Sequence, residues 1–193
     1  MHLLPLPAWR LLKIMKVLGV GLNKTGTKTL GECFRILGYN RVSFNDVAFN
    51  LWRRGNLDEL MKIASVYDAF EDWPWPLLFR EFDKHFPGSK FVLTVRRDPE
   101  TWYKSLCSHA IRTGPTEYRK AIYGEYMPQG SKEKHIRFYE TYNQEVREYF
   151  RGRSQDYLEV CWEAGDQWDT LCSFLQKPVP NIAFPHANKG MYA

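Results

Sequence analysis

Residues Lys16–Leu22 (KVLGVGL) form a short apolar run that stops abruptly at the Gly- and Thr-rich stretch Asn23–Thr29 (NKTGTKT), and this junction restricts the fold more than any other segment. A brief apolar run bounded by a turn reads as a strand covered on both faces, which is the pattern of a parallel sheet. From Thr27 onward Leu30, Cys33, Phe34 and Leu37 recur at helical spacing, and Gly38 is a natural stop. Strand, turn and helix therefore follow one another over Lys16–Gly38.

The alternation continues along the chain. Asn45–Ser65 is an amphipathic helical region interrupted near Gly55, and Val66–Phe70 is a short strand ended by Glu71-Asp72-Trp73-Pro74. Trp75–Phe86 is helical in pattern. Lys90–Val95 (KFVLTV) is the clearest strand, and it closes on Arg96-Arg97-Asp98-Pro99, where Pro99 suits a first helical turn. Thr113–Gly130, with its glycines and prolines, reads as a mobile excursion; Ser131–Phe150 as a charged helix; Tyr157–Cys161 as the last strand; Asp166–Leu175 as the last helix. Strands alternating with helices imply an α/β fold with a central parallel sheet, whose ligand sites lie at the carboxyl ends of the strands.

Composition narrows the class. At 193 residues the chain suits one domain with a full core. Residues 16–193 read as that domain and residues 1–15 as an N-terminal extension. Leucines in the extension are interrupted by Pro5, Pro7, Arg10 and Lys13, so it is too short and broken for stable membrane insertion. The formal charge of +5 is spread along the sequence, which argues against nucleic acid and leaves a small polyanion as the natural charged ligand. Cys33, Cys107, Cys161 and Cys172 have no metal-ligand or disulfide spacing, as expected of reduced thiols in a cytoplasmic protein without a metal site. An aromatic content of 16% suits both a core and a pocket for flat ligands.

Three strand ends carry residues with chemistry. In Gly21–Thr29, glycines allow a tight turn whose amide N–H groups point at an anion beside a helix N-terminus, while Lys24, Lys28 and the threonines add donors. A nucleoside-triphosphate loop of the form G-x-x-x-x-G-K-[ST] needs Lys at position 27, but Thr27 stands there and Lys28 comes one place late. The same residues also suit a turn that merely caps a helix. In Lys90–Ser105, Arg97 ends a strand and Ser105 lies eight positions on, two turns into the next helix, so the two can converge on one phosphate. Between these segments, Glu71 and Asp72 end a strand, where they suit a solvated acidic pair capping the next helix; alternation along the strand turns them to opposite sides.

Lys24-Thr25-Gly26-Thr27-Lys28-Thr29 resembles the 5′-phosphosulfate loop of sulfotransferases, and Lys90–Ser105 resembles that family's 3′-phosphate element. The resemblance covers roughly residues 16–190 and looks most like the compact members of the family. It implies a P-loop-like three-layer fold and 3′-phosphoadenosine-5′-phosphosulfate as co-substrate, with no metal. It also implies roles: Lys24 on the transferring group, the backbone and hydroxyls of Thr25, Gly26, Thr27, Lys28 and Thr29 on the 5′-phosphate, and Arg97 and Ser105 on the 3′-phosphate. Lys189, in the C-terminal Phe184–Gly190 stretch, resembles more loosely the segment that closes over the 3′-phosphate. Asp72 sits where the family keeps its base, although soluble members usually carry His there; Glu71 is the fallback, and His186 and His109 come next. A small-molecule kinase using ATP and Mg²⁺ is the competing reading, which the displaced Lys28 and the Arg97/Ser105 element oppose. The acceptor is a small molecule or a glycan, and Thr113–Gly130 borders its site.

Overall fold

The protein is described here over residues 15–186 by a computed structural model. Strands β1 (Val17–Gly19), β2 (Arg41–Val42), β3 (Ala69–Phe70), β4 (Lys90–Thr94) and β5 (Tyr157–Val160) form one sheet in the order β2-β3-β1-β4-β5. Every neighbouring pair is parallel. In chain order the helices are α1 (Thr27–Ile36), α2 (Asp46–Arg53), α3 (Leu57–Ser65), α4 (Phe79–His85), α5 (Pro99–Thr113), α6 (Glu117–Tyr123), α7 (Lys132–Tyr149) and α8 (Trp168–Leu175).

Residues alternate between two cores along each strand, as the two-residue period requires. Leu18, Phe70, Phe91 and Leu93 enter a large core against Phe49 of α2, Leu60 of α3, Phe82 of α4, Trp102 of α5 and Val146 of α7. Val17, Ala69, Val92 and Val160 enter a smaller one against Leu30, Cys33 and Phe34 of α1 and Leu171, Cys172 and Leu175 of α8. The result is three layers, with α1 and α8 on one face of the sheet and the remaining packed helices on the other. Because the strands are parallel, the segments after β1, β3 and β4 leave the sheet at a common edge. No helix among the described residues is long and apolar enough to cross a membrane.

Several boundaries differ from the sequence expectation for local reasons. The apolar run Lys16–Leu22 pairs only as far as Gly19, with Val20 N–H still bonding Val92 O at 2.8 Å, because the chain then turns at Gly21 against Thr94. The expected strand Val66–Phe70 contracts to β3, since Val66 is the C-terminal cap of α3. Asn45–Ser65 divides into α2 and α3 at Gly55, whose φ of 69° a glycine adopts without strain. Thr113–Gly130, expected to be a mobile excursion, contains α6. Arg119 there is 2% exposed and fixes the segment, its guanidinium donating to Tyr126 O at 2.9 Å, to Thr113 Oγ1 at 3.1 Å and to Gly114 O. That organising cation lies inside a turn-rich stretch whose composition resembles a loop.

One buried ion pair joins three elements. Glu71, immediately after β3, is 1% exposed and accepts from Arg41 Nη1 of β2 at 2.7 Å. Its carboxylate lies against Gly31 of α1, where a Cβ would stand 2.2 Å from Glu71 Oε1. Burial raises the Glu71 carboxyl from its ordinary 4.5 to about 7, against the opposing pull of Arg41. The folded chain therefore holds this proton more tightly than the unfolded chain does. Its contribution to stability is full below about pH 4.5 and is lost as pH rises through about 7, on the order of 3 kcal/mol at most. Denaturation midpoints at pH 5 and pH 8 should fall more steeply for the wild type than for Glu71→Gln; equal slopes would refute the assignment.

Candidate active site

The segment after β1 is held from several sides. Thr25 Oγ1 donates to Leu22 O at 2.6 Å or shares its proton with Thr94 Oγ1, also 2.6 Å away. Trp102 Nε1 donates to Asn23 O at 2.9 Å, and Tyr123 Oη to Asn23 Oδ1 at 2.6 Å. Gly21 has no room for a side chain, because a Cβ would lie 2.0 Å from Thr94 Oγ1. Within the loop Lys24 adopts φ 72° and Gly26 φ 95°. Helix α1 then begins at Gly26 with no side-chain cap and no acid in its first turn, whereas α2, α3, α5 and α6 are capped by Asn45, Asn56, Asp98 and Thr116. Uncapped N–H groups and the positive end of the helix dipole suit an anion.

A cavity of about 710 Å³ opens over this loop. Lys24, Gly26, Thr27, Lys28 and Thr29 line it, while Thr25 is used in holding the loop. Asp72 lines it too; its neighbour Glu71 points beneath α1 to Arg41 and does not. Asp72 adopts φ 65° and accepts the Trp73 N–H at 2.8 Å. Burial raises its pKa, opposed by that N–H and by the charges of Lys24 and Lys28. Lys24 and Asp72 thus face one cavity, both in a left-handed conformation that costs a non-glycine residue about 1–2 kcal/mol. Backbone strain of this kind concentrates at functional positions.

At the end of β4 the cavity is lined by Ser105, which is 5% exposed, and by Arg96 rather than Arg97. Arg96 Nη2 pairs with Glu163 at 2.9 Å, and its buried Nε has no hydrogen-bond partner among the described residues. Arg97 is exposed, borders a neighbouring cavity that Arg96 shares, and donates its backbone N–H to Glu163 Oε2 at 3.1 Å. Strand alternation contains the signal for Arg96: it lies two residues beyond Thr94, whose side chain already meets the loop, so both share the α1 side of the sheet.

Further lining residues have no motif. Trp162 Nε1 donates to Gly26 O at 3.3 Å, and its ring fills the place a Gly26 Cβ would need, 2.4 Å away. His109 lies one turn beyond Ser105 on α5, and its buried Nδ1 has no partner among the described residues. Burial first, then the charges of Lys24, Arg119, Arg112 and Lys28, push the His109 imidazole down to about 4. It is neutral at physiological pH. Phe44, Trp73, Tyr118 and His186 also line the cavity. Lys189 lies outside the described residues. Among the described residues no three His, Cys, Asp or Glu side chains are grouped to hold a metal ion.

The chain is similar to known proteins. The Ava biosynthesis cluster protein M of Aspergillus versicolor is 26% identical over 214 residues, covering 89% of this chain and 80% of that protein. A family model described as a sulfotransferase domain matches residues 16–192, taking in all five strands and the whole lined cavity. The chain belongs to the sulfotransferase domain family.

Proposed function

We propose that the protein transfers a sulfuryl group from 3′-phosphoadenosine-5′-phosphosulfate to an acceptor hydroxyl or amine in the cytoplasm, with Lys24 stabilising the leaving group and Asp72 taking the proton. The observation that carries this reading is the meeting of Lys24, Asp72, Arg96 and Ser105, from the ends of three parallel strands and one helix, in a single cavity. The loop amides from Gly26 to Thr29 and the N-terminus of α1 suit the 5′-phosphate of the donor. Ser105 with Arg96 or Arg97, and Lys189 from the C-terminal segment, suit the 3′-phosphate. Trp162 offers a ring face beside the loop for the adenine.

The reaction is an in-line displacement at sulfur, and catalysis by the protein is largely positioning and charge stabilisation. Negative charge grows on the departing 5′-phosphate oxygen, where Lys24 compensates it. A sulfuryl group carries less negative charge than a phosphoryl group, so cationic side chains suffice without a metal. Family membership argues against the competing kinase reading.

Thermal shifts with adenosine 3′,5′-bisphosphate, 5′-AMP and ATP–Mg²⁺ test the donor site without an acceptor. The bisphosphate should bind at least roughly tenfold more tightly than 5′-AMP, because each charge-assisted hydrogen bond to the 3′-phosphate contributes about 1.5–3 kcal/mol. Arg96→Ala and Arg97→Ala, compared singly, identify which arginine supplies that preference, and equal wild-type affinity for both adenosine nucleotides overturns the clamp.

Turnover separates the two catalytic roles. Lys24→Ala should lower kcat by about two orders of magnitude or more while changing bisphosphate affinity little, because its partner is charge that develops in the transition state. Asp72→Asn should likewise lose about 10²–10⁴ in rate and keep donor affinity. Retention of most activity by Asp72→Asn, measured at saturating donor, would move the base elsewhere, with His186 and His109, which also line the cavity, the next candidates.

A further inference from the structure

The donor and base assignments above underlie an inference about the acceptor. The cavity of about 710 Å³ is the size that one drug-sized ligand commonly fills, so a nucleotide over the loop leaves room for only a small acceptor. Phe44, Trp73 and Tyr118 add rings to its lining. Phe44, 39% exposed, packs edge-to-face on Tyr118 at 5.0 Å between centroids. Tyr118 directs its hydroxyl to Asp46 and thereby leaves its ring, not its oxygen, as the wall. Trp73 completes the surface beside Asp72.

This wall is preorganised. Asn45 N–H donates to Trp73 O at 3.3 Å and Trp75 Nε1 donates to Ser43 O at 2.8 Å, which pins the segment carrying Phe44 to the segment carrying Trp73. Of the polar groups lining the cavity, Asn23 Oδ1 is engaged by Tyr123 and Glu163 by Arg96, whereas His109 Nδ1 has no partner among the described residues. The base is also chemically weak. A carboxylate lies about six pH units below a phenol, which titrates near 10, but about twelve below an aliphatic alcohol, whose hydroxyl resembles water near 15.7. Proton transfer efficiency follows that gap.

We propose that the acceptor is a small phenol, its ring held against Phe44, Trp73 and Tyr118 and its hydroxyl presented to Asp72. The phenolic oxygen forms a bond to sulfur as the bond between sulfur and the 5′-phosphate oxygen breaks. The phenolic proton passes to the Asp72 carboxylate, and the electron pair of the broken bond leaves with adenosine 3′,5′-bisphosphate beside Lys24.

The test supplies labelled donor with 4-methylphenol, cyclohexanol or glucosamine in separate reactions, and measures adenosine 3′,5′-bisphosphate binding by calorimetry alongside. 4-Methylphenol should be sulfated with a kcat/KM roughly 100-fold above that of cyclohexanol, an alcohol of similar size without the ring electrons or the acidity. Phe44→Ala should raise the KM for 4-methylphenol about tenfold and leave bisphosphate affinity within about twofold. Bisphosphate binding together with equal or faster sulfation of cyclohexanol or glucosamine, or no transfer to any of the three, overturns the phenol proposal alone. An unchanged KM in Phe44→Ala overturns the ring wall. Failure of the wild type to bind the bisphosphate overturns the donor reading on which the proposal rests.

Discussion

The tight fit of the chain after β1 against the end of β4 is the constraint on which the rest of the site depends. Gly21 lies so close to Thr94 that no side chain fits, and the two threonine hydroxyls of Thr25 and Thr94 meet at 2.6 Å. The loop is held on that side by β4 and on another by Trp102 and Tyr123, and Lys24 and Gly26 to Thr29 line the cavity. Buried hydrogen bonds of this kind contribute only about 1 kcal/mol each in net stability, but they specify geometry, and breaking one partner of a buried pair costs more than the pair contributes.

Charge is arranged around that loop so that neighbouring acids have opposite duties. Glu71 is buried under α1 with Arg41 and serves the packing of β2, β3 and α1. Asp72 is turned by its left-handed backbone into the cavity beside Lys24 and Lys28. Burial, and after it the cations around His109, hold its imidazole neutral, which keeps the cavity from gaining another positive charge between neutral and mildly acidic pH. The proposed division between a phosphate-binding loop and an aromatic acceptor wall follows from the same layout, since α5 and α6 carry residues to the side that the strand ends leave open.

Much of this was legible along the chain. The strand, turn and helix over Lys16–Gly38, the strand at Lys90, the helix opened by Pro99 and the parallel sheet all follow from periodicity and turn chemistry, and the structure contains each of them. Two-residue strands were not legible: β2 has no period to detect, and β3 was overestimated because the apolar Val66 caps α3 and Tyr67 lies in the connection that follows it. Helix α6 was missed because Arg119, which organises it, is a charged residue buried by tertiary contacts, and no local pattern announces a burial of that sort.

By itself the sequence determined the class of fold, the tight loop between β1 and α1 and the location of candidate acids at a strand end, because alternation of side chains, turn residues and helix starts are local properties carried by a few adjacent residues. Only the tertiary structure decided which member of each pair faces the cavity. Asp72 rather than Glu71 and Arg96 rather than Arg97 line it, since the twist of one backbone dihedral at Asp72 and the parity shared with Thr94 depend on how β3 and β4 meet β1. Trp162, Phe44 and Tyr118, separated by scores of residues in sequence, became one cavity lining for the same reason: parallel strands bring distant segments to a common edge, and nothing local to any of those residues records which others will arrive there.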